Sequence, residues 1–274
     1  MATVFVVLCG LLGAAIGSFL NVVIDRAPQR ASLLRPASHC PGCGRALAPA
    51  ELIPVFSYLA LRGRCRTCGA AIPVRVLLVE LAAGLLFAGL AWYRGPGLEL
   101  LADGLYAAIL LVITVIDLEH RLILNRVIYP ALGIALALAA LRLALGMPRY
   151  LHVGYWLAAG WAPGLSQAWM GLLSQGAGAL FALGIFWLIY LVAPGSMGDG
   201  DLPLAALAGL ITGFPGALVA VFGSFILGGI TGVALLLGGR ATRKTALPFA
   251  PFIVLTTWAV NLWGDGWLLR YLFG

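Results

Sequence analysis

Eight apolar runs dominate this sequence and leave it few ways to fold. Seven are of spanning length, near 3–24, 75–93, 100–116, 127–146, 169–193, the longer part of 202–238, and 247–272. The eighth is a shorter run at 202–213, set off by the turn signal Gly213-Phe214-Pro215-Gly216. At about 1.5 Å of rise per residue, about twenty residues cross a hydrocarbon core of about 30 Å. The short run is expected to cross only partly. Hydrophobic residues make up 62% of the chain and charged residues only 10%, which excludes an ordinary soluble domain. The fold class is therefore an all-α polytopic membrane protein with about eight transmembrane helices. Residues 1–23 have no basic n-region and do not read as a cleaved secretory signal.

Basic residues give the orientation. With the first helix running inward, segments 25–75, 117–126, 194–201 and 239–246 face the cytoplasm, and they hold thirteen of the seventeen Lys and Arg residues. The net charge of +7 is explained by contact with anionic lipid, and no nucleic-acid partner is expected. Trp156, Trp161 and Trp169 read as anchors at the outer interface.

The polar segment 25–75 carries Cys40-Pro41-Gly42-Cys43 and Cys65-Arg66-Thr67-Cys68. Two CxxC knuckles at this spacing suit a tetrahedral structural zinc site built from Cys40, Cys43, Cys65 and Cys68. Gly44 and Gly69 follow each second cysteine and ease the tight turn. In reducing cytoplasm, paired disulfides are the weaker reading. His39 is a possible spare ligand or a solvated side chain.

Two carboxylates stand at the cytoplasmic ends of apolar runs. Asp201 closes the turn Gly195-Ser196-Met197-Gly198-Asp199-Gly200-Asp201, and Asp117 lies in Ile116-Asp117-Leu118-Glu119-His120-Arg121. A carboxylate beside hydrocarbon costs several kcal/mol unless compensated, so its default reading is functional. Glu119, His120 and Arg121 read as an interfacial boundary. Two carboxylates sharing one proton can activate water and protonate a carbonyl oxygen, which points to peptide hydrolysis at the inner surface. An ion-coupled transporter is the competing use of the same residues.

Six motifs in order then resemble the type IV prepilin peptidases, which are GxGD aspartyl proteases. They are Gly17-Ser18-Phe19-Leu20-Asn21-Val22-Val23, the paired knuckles, Pro73-Val74-Arg75 with Glu80, Ile116 to His120, Gly198-Asp199-Gly200-Asp201, and Leu247-Pro248-Phe249-Ala250-Pro251-Phe252. The resemblance implies that Asp117 and Asp201 are the catalytic pair, with Asp199 at the variable position. It implies cleavage of a short basic leader after glycine in prepilin or pseudopilin precursors, at the bacterial cytoplasmic membrane. It also implies N-methylation of the new terminus from S-adenosylmethionine, in which Glu80 would take part. Glu80 could instead pair with Arg75 or another loop arginine. Gly17 reads first as close helix packing. The implied organisation is a first helix at 1–24, the four-cysteine loop at 25–75 with associated helices to about 95, and a peptidase domain over 96–274. The sequence departs from the family pattern at Pro203, where lysine is common, at Leu124, and at Val76-Leu77. Pro203 keeps open a scaffold that binds precursor without cutting it.

Overall fold

The structure, a computed structural model, describes residues 2–147, 164, 166–195, 197–240, 242 and 247–273, and of 264–273 the backbone alone. Trp156 and Trp161 lie outside the described residues. Among the described residues, eight apolar helices occupy the expected runs: α1 (Ala2–Arg26), α3 (Val74–Arg94), α4 (Leu98–His120), α5 (Asn125–Ala144), α6 (Gln167–Val192), α7 (Asp201–Thr212), α8 (Gly216–Leu237) and α9 (Ala250–Phe273). A five-residue helix α2 (Phe56–Ala60) and a 3-10 turn at Pro49–Leu52 lie in the polar loop. Six of the apolar helices are long and apolar enough to cross a membrane, so the chain is a multi-pass helical membrane protein. It divides into two compact units, Met1–Val115 and Ile116–Gly274, with the boundary inside α4.

In the first unit, α1 and α3 pack through small residues. A Cβ on Gly17 would stand 2.9 Å from the Glu80 Cα and 2.9 Å from the Ala83 Cβ. Backbones this close gain dispersion contact where no hydrophobic drive separates helix from lipid. Farther along this unit, Asp103 is fully buried and accepts a 2.8 Å hydrogen bond from the Arg94 Nε–H. Burial of the carboxylate is tolerable because the guanidinium meets it.

The second unit is built around α7. Twelve residues rise only about 18 Å, too little to cross the bilayer core. Leu204, Ala205, Leu207, Ala208, Leu210 and Ile211 are all buried, as expected of a helix that is apolar on every face. α5, α6, α8 and α9 pack against it. Contact with α6 is backbone to backbone, since a Cβ on Gly209 would strike the Gly178 carbonyl. Two glycines facing each other let the helix carrying Asp201 sit deep in its unit.

Candidate active site

Asp117 lies in the last turn of α4, and Asp201 is the first residue of α7. Both side chains are buried, and both line one cavity of about 540 Å³ within the second unit. Each carboxylate is met by a backbone N–H, at a helix start for Asp117 and in the turn before the helix for Asp201. Asp117 Oδ2 accepts a 3.0 Å bond from Ala250 N–H, the first residue of α9. Asp201 Oδ2 accepts a 2.9 Å bond from Gly198 N–H, while Asp201 N–H donates to Gly198 O at 3.0 Å. The first N–H groups of a helix have no partner inside it, and the helix dipole favours an anion there.

Gly200 brings the two aspartate-bearing segments together. A Cβ at this position would lie 2.5 Å from the Ile123 Cβ and 2.9 Å from the Ile123 carbonyl oxygen. Only a glycine lets the turn before Asp201 rest on the segment that follows Asp117. Asp199 is exposed and does not line the cavity.

The cavity walls come partly from residues that the sequence did not single out for this. Ile189, Met197, Phe225 and Phe249 give it apolar sides. Phe225 and Phe249 are held by ring contacts with Phe186, with centroids 5.4–6.0 Å apart. Arg121 also lines it, although in sequence it reads as a boundary residue. Its backbone has φ 55°, and its N–H caps α4 by donating to the Asp117 carbonyl at 2.8 Å. The sequence offered no more than its nearness to Asp117, since Arg121 lies past the end of α4.

In the first unit the four cysteines converge. Their sulfurs all lie within 4.8 Å of one another, with Cys40 and Cys68 at 3.7 Å. Zinc bonded at about 2.3 Å to four sulfurs spaces them about 3.8 Å apart, so the donor set and its geometry fit that ion. The two knuckles repeat one pattern. Cys40 N–H donates to Arg45 O and Cys65 N–H to Ala70 O, while Gly44 and Gly69 return N–H bonds to the first cysteine of each pair with φ 68° and 71°. The backbone N–H groups of Cys68 and Thr67 hold the Cys65 thiol down to about 6. His39 is exposed, faces the Ala37 carbonyl and is not part of the cluster.

Glu80 is buried and accepts a 2.7 Å bond from Val55 N–H. Val55 has φ 64° and ψ −53°, with Phe56 N–H bonded back to Pro54 O at 2.6 Å. This is a three-residue turn that a β-branched residue adopts only under strain. Asn21 donates to the Val76 carbonyl at 3.0 Å and accepts from Arg75, which also pairs with Asp25. Asn21, Asp25, Arg75 and Glu80 thus gather where α1 and α3 meet the loop. The acceptor role of Glu80 toward the loop backbone was not visible in sequence.

A multi-pass helical architecture, a four-cysteine loop and a buried carboxylate pair define the class of protein. Residues 11–94 match the model of the bacterial peptidase A24 N-terminal domain, and residues 104–233 match that of the type IV leader peptidase family. The chain is 33% identical to the prepilin leader peptidase/N-methyltransferase of Bacillus subtilis, over 96% of each chain. It is also 33% identical to the proteins of that name from Pseudomonas putida, over 95% of this chain and 91% of the relative, and from Pseudomonas aeruginosa, over 98% and 93%. No solved structure matches it. The chain belongs to the type IV leader peptidase family.

Proposed function

We propose that this chain is a bifunctional enzyme of the bacterial inner membrane. It removes the short basic leader from type IV prepilins or pseudopilins and then methylates the exposed N-terminal amine. The observation that carries the reading is the pair of buried carboxylates, Asp117 and Asp201, on one cavity of a chain from this family. The excess of arginine in segments 25–75 and 117–126 supports a cytoplasmic position for the four-cysteine loop and for both aspartates.

In the cut, one carboxylate takes a proton from water as the water oxygen attacks the scissile carbonyl carbon. The other carboxyl, protonated, gives its proton to the carbonyl oxygen. Collapse of the tetrahedral intermediate breaks the C–N bond, and a proton passes to the departing nitrogen. The products are a leader ending in a carboxylate and a mature chain beginning with an amine. The Ala250 and Gly198 N–H groups fix the two carboxylates in position. The apolar walls shield the charges from water, which strengthens their action on the substrate.

Zinc, held by Cys40, Cys43, Cys65 and Cys68, would fasten the loop. Four thiolates close the coordination shell, so its role is structural. S-adenosylmethionine supplies the methyl group when bound. Arg75 and Glu80 carry the opposite charges that the carboxylate of this co-substrate and its ammonium and sulfonium groups would meet, and Asn21 adds a neutral polar group. Glu80 serves that half-reaction through the shape of the loop, because its carboxylate holds the strained turn at Val55. The test is mass spectrometry of a precursor-like peptide with a basic leader, a Gly-Phe junction and an apolar helix, incubated with purified protein and S-adenosylmethionine. The expected product is cut after glycine and carries one added methyl on its new amine. An uncut peptide that still binds would favour a scaffold.

A further inference from the structure

Arg45 lies two residues after Cys43 and makes a planar, two-pronged pair with Glu51. Its Nη1–H meets Oε2 at 2.9 Å and its Nη2–H meets Oε1 at 2.7 Å. Ala48 N–H donates to the same carboxylate at 2.8 Å. Only the outer edge of the guanidinium fork is used in this pairing. The Nη1–H also reaches the Ala46 carbonyl at 3.3 Å, while the Nε–H is buried and has no acceptor, and the Cys65 side chain is the one sulfur that interacts with the guanidinium. A buried N–H without an acceptor forfeits a hydrogen bond, and the guanidinium fork holds the direction of this one rigidly.

We propose that Arg45 is the outer-shell partner of the four-cysteine metal site, its Nε–H donating to the Cys65 sulfur once that sulfur is a metal-bound thiolate. The inference rests on the zinc reading of the cluster. Four thiolates around a divalent cation carry a net charge of −2, and a thiolate sulfur is a better acceptor than a thiol. A cation aimed at one sulfur therefore favours the loaded state over the empty one. Glu51 serves as the clamp that turns the guanidinium, and Ala48 N–H holds Glu51 in turn. The chain from Ala48 to Cys65 thus joins the two knuckles through side chains, where the backbone pairing of each knuckle is local.

The test uses the full-length protein in detergent. Zinc content is measured first, and zinc affinity is then found by competition with a chromophoric chelator for the wild type, Arg45→Gln, Arg45→Lys and Glu51→Gln. Arg45→Gln is expected to weaken zinc binding about 10- to 100-fold, the usual effect of losing an outer-shell partner. Arg45→Lys restores the charge without the rigid fork and should recover only part of it. Cobalt substitution supplies a signature that simple loosening of the loop would not move. The sulfur-to-cobalt charge-transfer band should shift in Arg45→Gln, where one sulfur loses its donor, and shift less in Glu51→Gln, where the donor remains and only its clamp is weakened. Wild-type zinc affinity and an unmoved band in Arg45→Gln would overturn the proposal. So would a Glu51→Gln variant that loses more zinc affinity and shifts the band further than Arg45→Gln, since Glu51 acts on the site only through Arg45. A wild-type protein that holds no zinc overturns the zinc reading itself, and this inference with it.

Discussion

The carboxylate of Asp117, in the last turn of α4, accepts a 3.0 Å hydrogen bond from the backbone N–H of Ala250, 133 residues later in the chain. This bond gives the Leu247 to Phe252 motif a physical task. The segment ends in a helix start, and the helix start presents an N–H with no intrahelical partner. Phe249 meanwhile turns its ring into the Phe186 and Phe225 cluster. One short stretch therefore orients an acidic side chain and builds an apolar wall beside it. Asp201 is held by a local bond instead, from the N–H of Gly198 in the turn before α7.

Replacing Gly200 with alanine should damage stability and activity together. The added methyl would meet the Ile123 Cβ at 2.5 Å and the Ile123 carbonyl at 2.9 Å, and backbone atoms yield poorly. Overpacking of this kind costs about 1–3 kcal/mol. Thermal unfolding in detergent should show a lowered midpoint, and leader cleavage should fall because the turn that aims Asp201 moves away from the Asp117 segment. Unchanged cleavage in Gly200→Ala would mean that this contact does not set the pair.

Glu80→Ala separates the two half-reactions. It leaves the part-buried Val55 N–H without its acceptor, which forfeits a hydrogen bond, and frees the strained turn at Val55. Methylation should be lost while the peptide is still cut, because both aspartates lie in the other compact unit. Glu80→Gln retains an acceptor oxygen and should keep more methylation than Glu80→Ala. Mass spectrometry of the product's N-terminus reads both outcomes.

Glu51 should titrate far below an ordinary glutamate. Its hydrogen bonds from Arg45 and from Ala48 N–H bring it from 4.5 down to about 2. A carboxyl lowered on folding contributes stability that is complete above its unfolded value and is lost as pH falls through its folded value. The Glu51 contribution should therefore be constant from neutral pH to about 4.5 and disappear toward 2. Carboxyl-carbon NMR of glutamate-labelled protein, assigned by Glu51→Gln, checks this directly. A midpoint near 4.5 would contradict the clamp.

Removing metal with a strong chelator should expose Cys40 and Cys65, which are buried in the folded loop, to alkylation. The segment between α1 and α3 should also become sensitive to protease. Peptide cleavage should persist, since the carboxylate cavity draws none of its lining from this loop. Alkylation counted by mass spectrometry before and after chelation gives the comparison.

How far the sequence could be read depended on whether a feature is local. The helices follow from apolar runs whose length matches the bilayer, and the knuckles from cysteines three residues apart, so both were legible. The convergence of the four sulfurs was legible too, because two CxxC knuckles at that spacing suit one shared ion better than paired disulfides. Asp117 and Asp201 could be placed at one membrane depth by counting helices, yet nothing local says that Ala250 supplies the N–H group that holds Asp117. Arg121 passed for a boundary residue because its place on the cavity depends on the left-handed cap after α4. Glu80 invited an ion pair with Arg75, but that arginine meets Asp25 and Asn21, and the backbone of Val55 takes the carboxylate. Partners drawn from distant backbone leave no mark in the composition around a residue.

The most direct measurement is leader cleavage by Asp117→Asn and Asp201→Asn, each purified in detergent with its helix content compared to the wild type. Asparagine keeps the size of the side chain and an acceptor for the Ala250 or Gly198 N–H, while removing the group that takes or gives a proton. The account predicts that each variant folds as the wild type does and that cleavage falls by about a thousandfold or more, because neither carboxyl can perform both proton transfers alone. Wild-type rates of cleavage from either variant would contradict it.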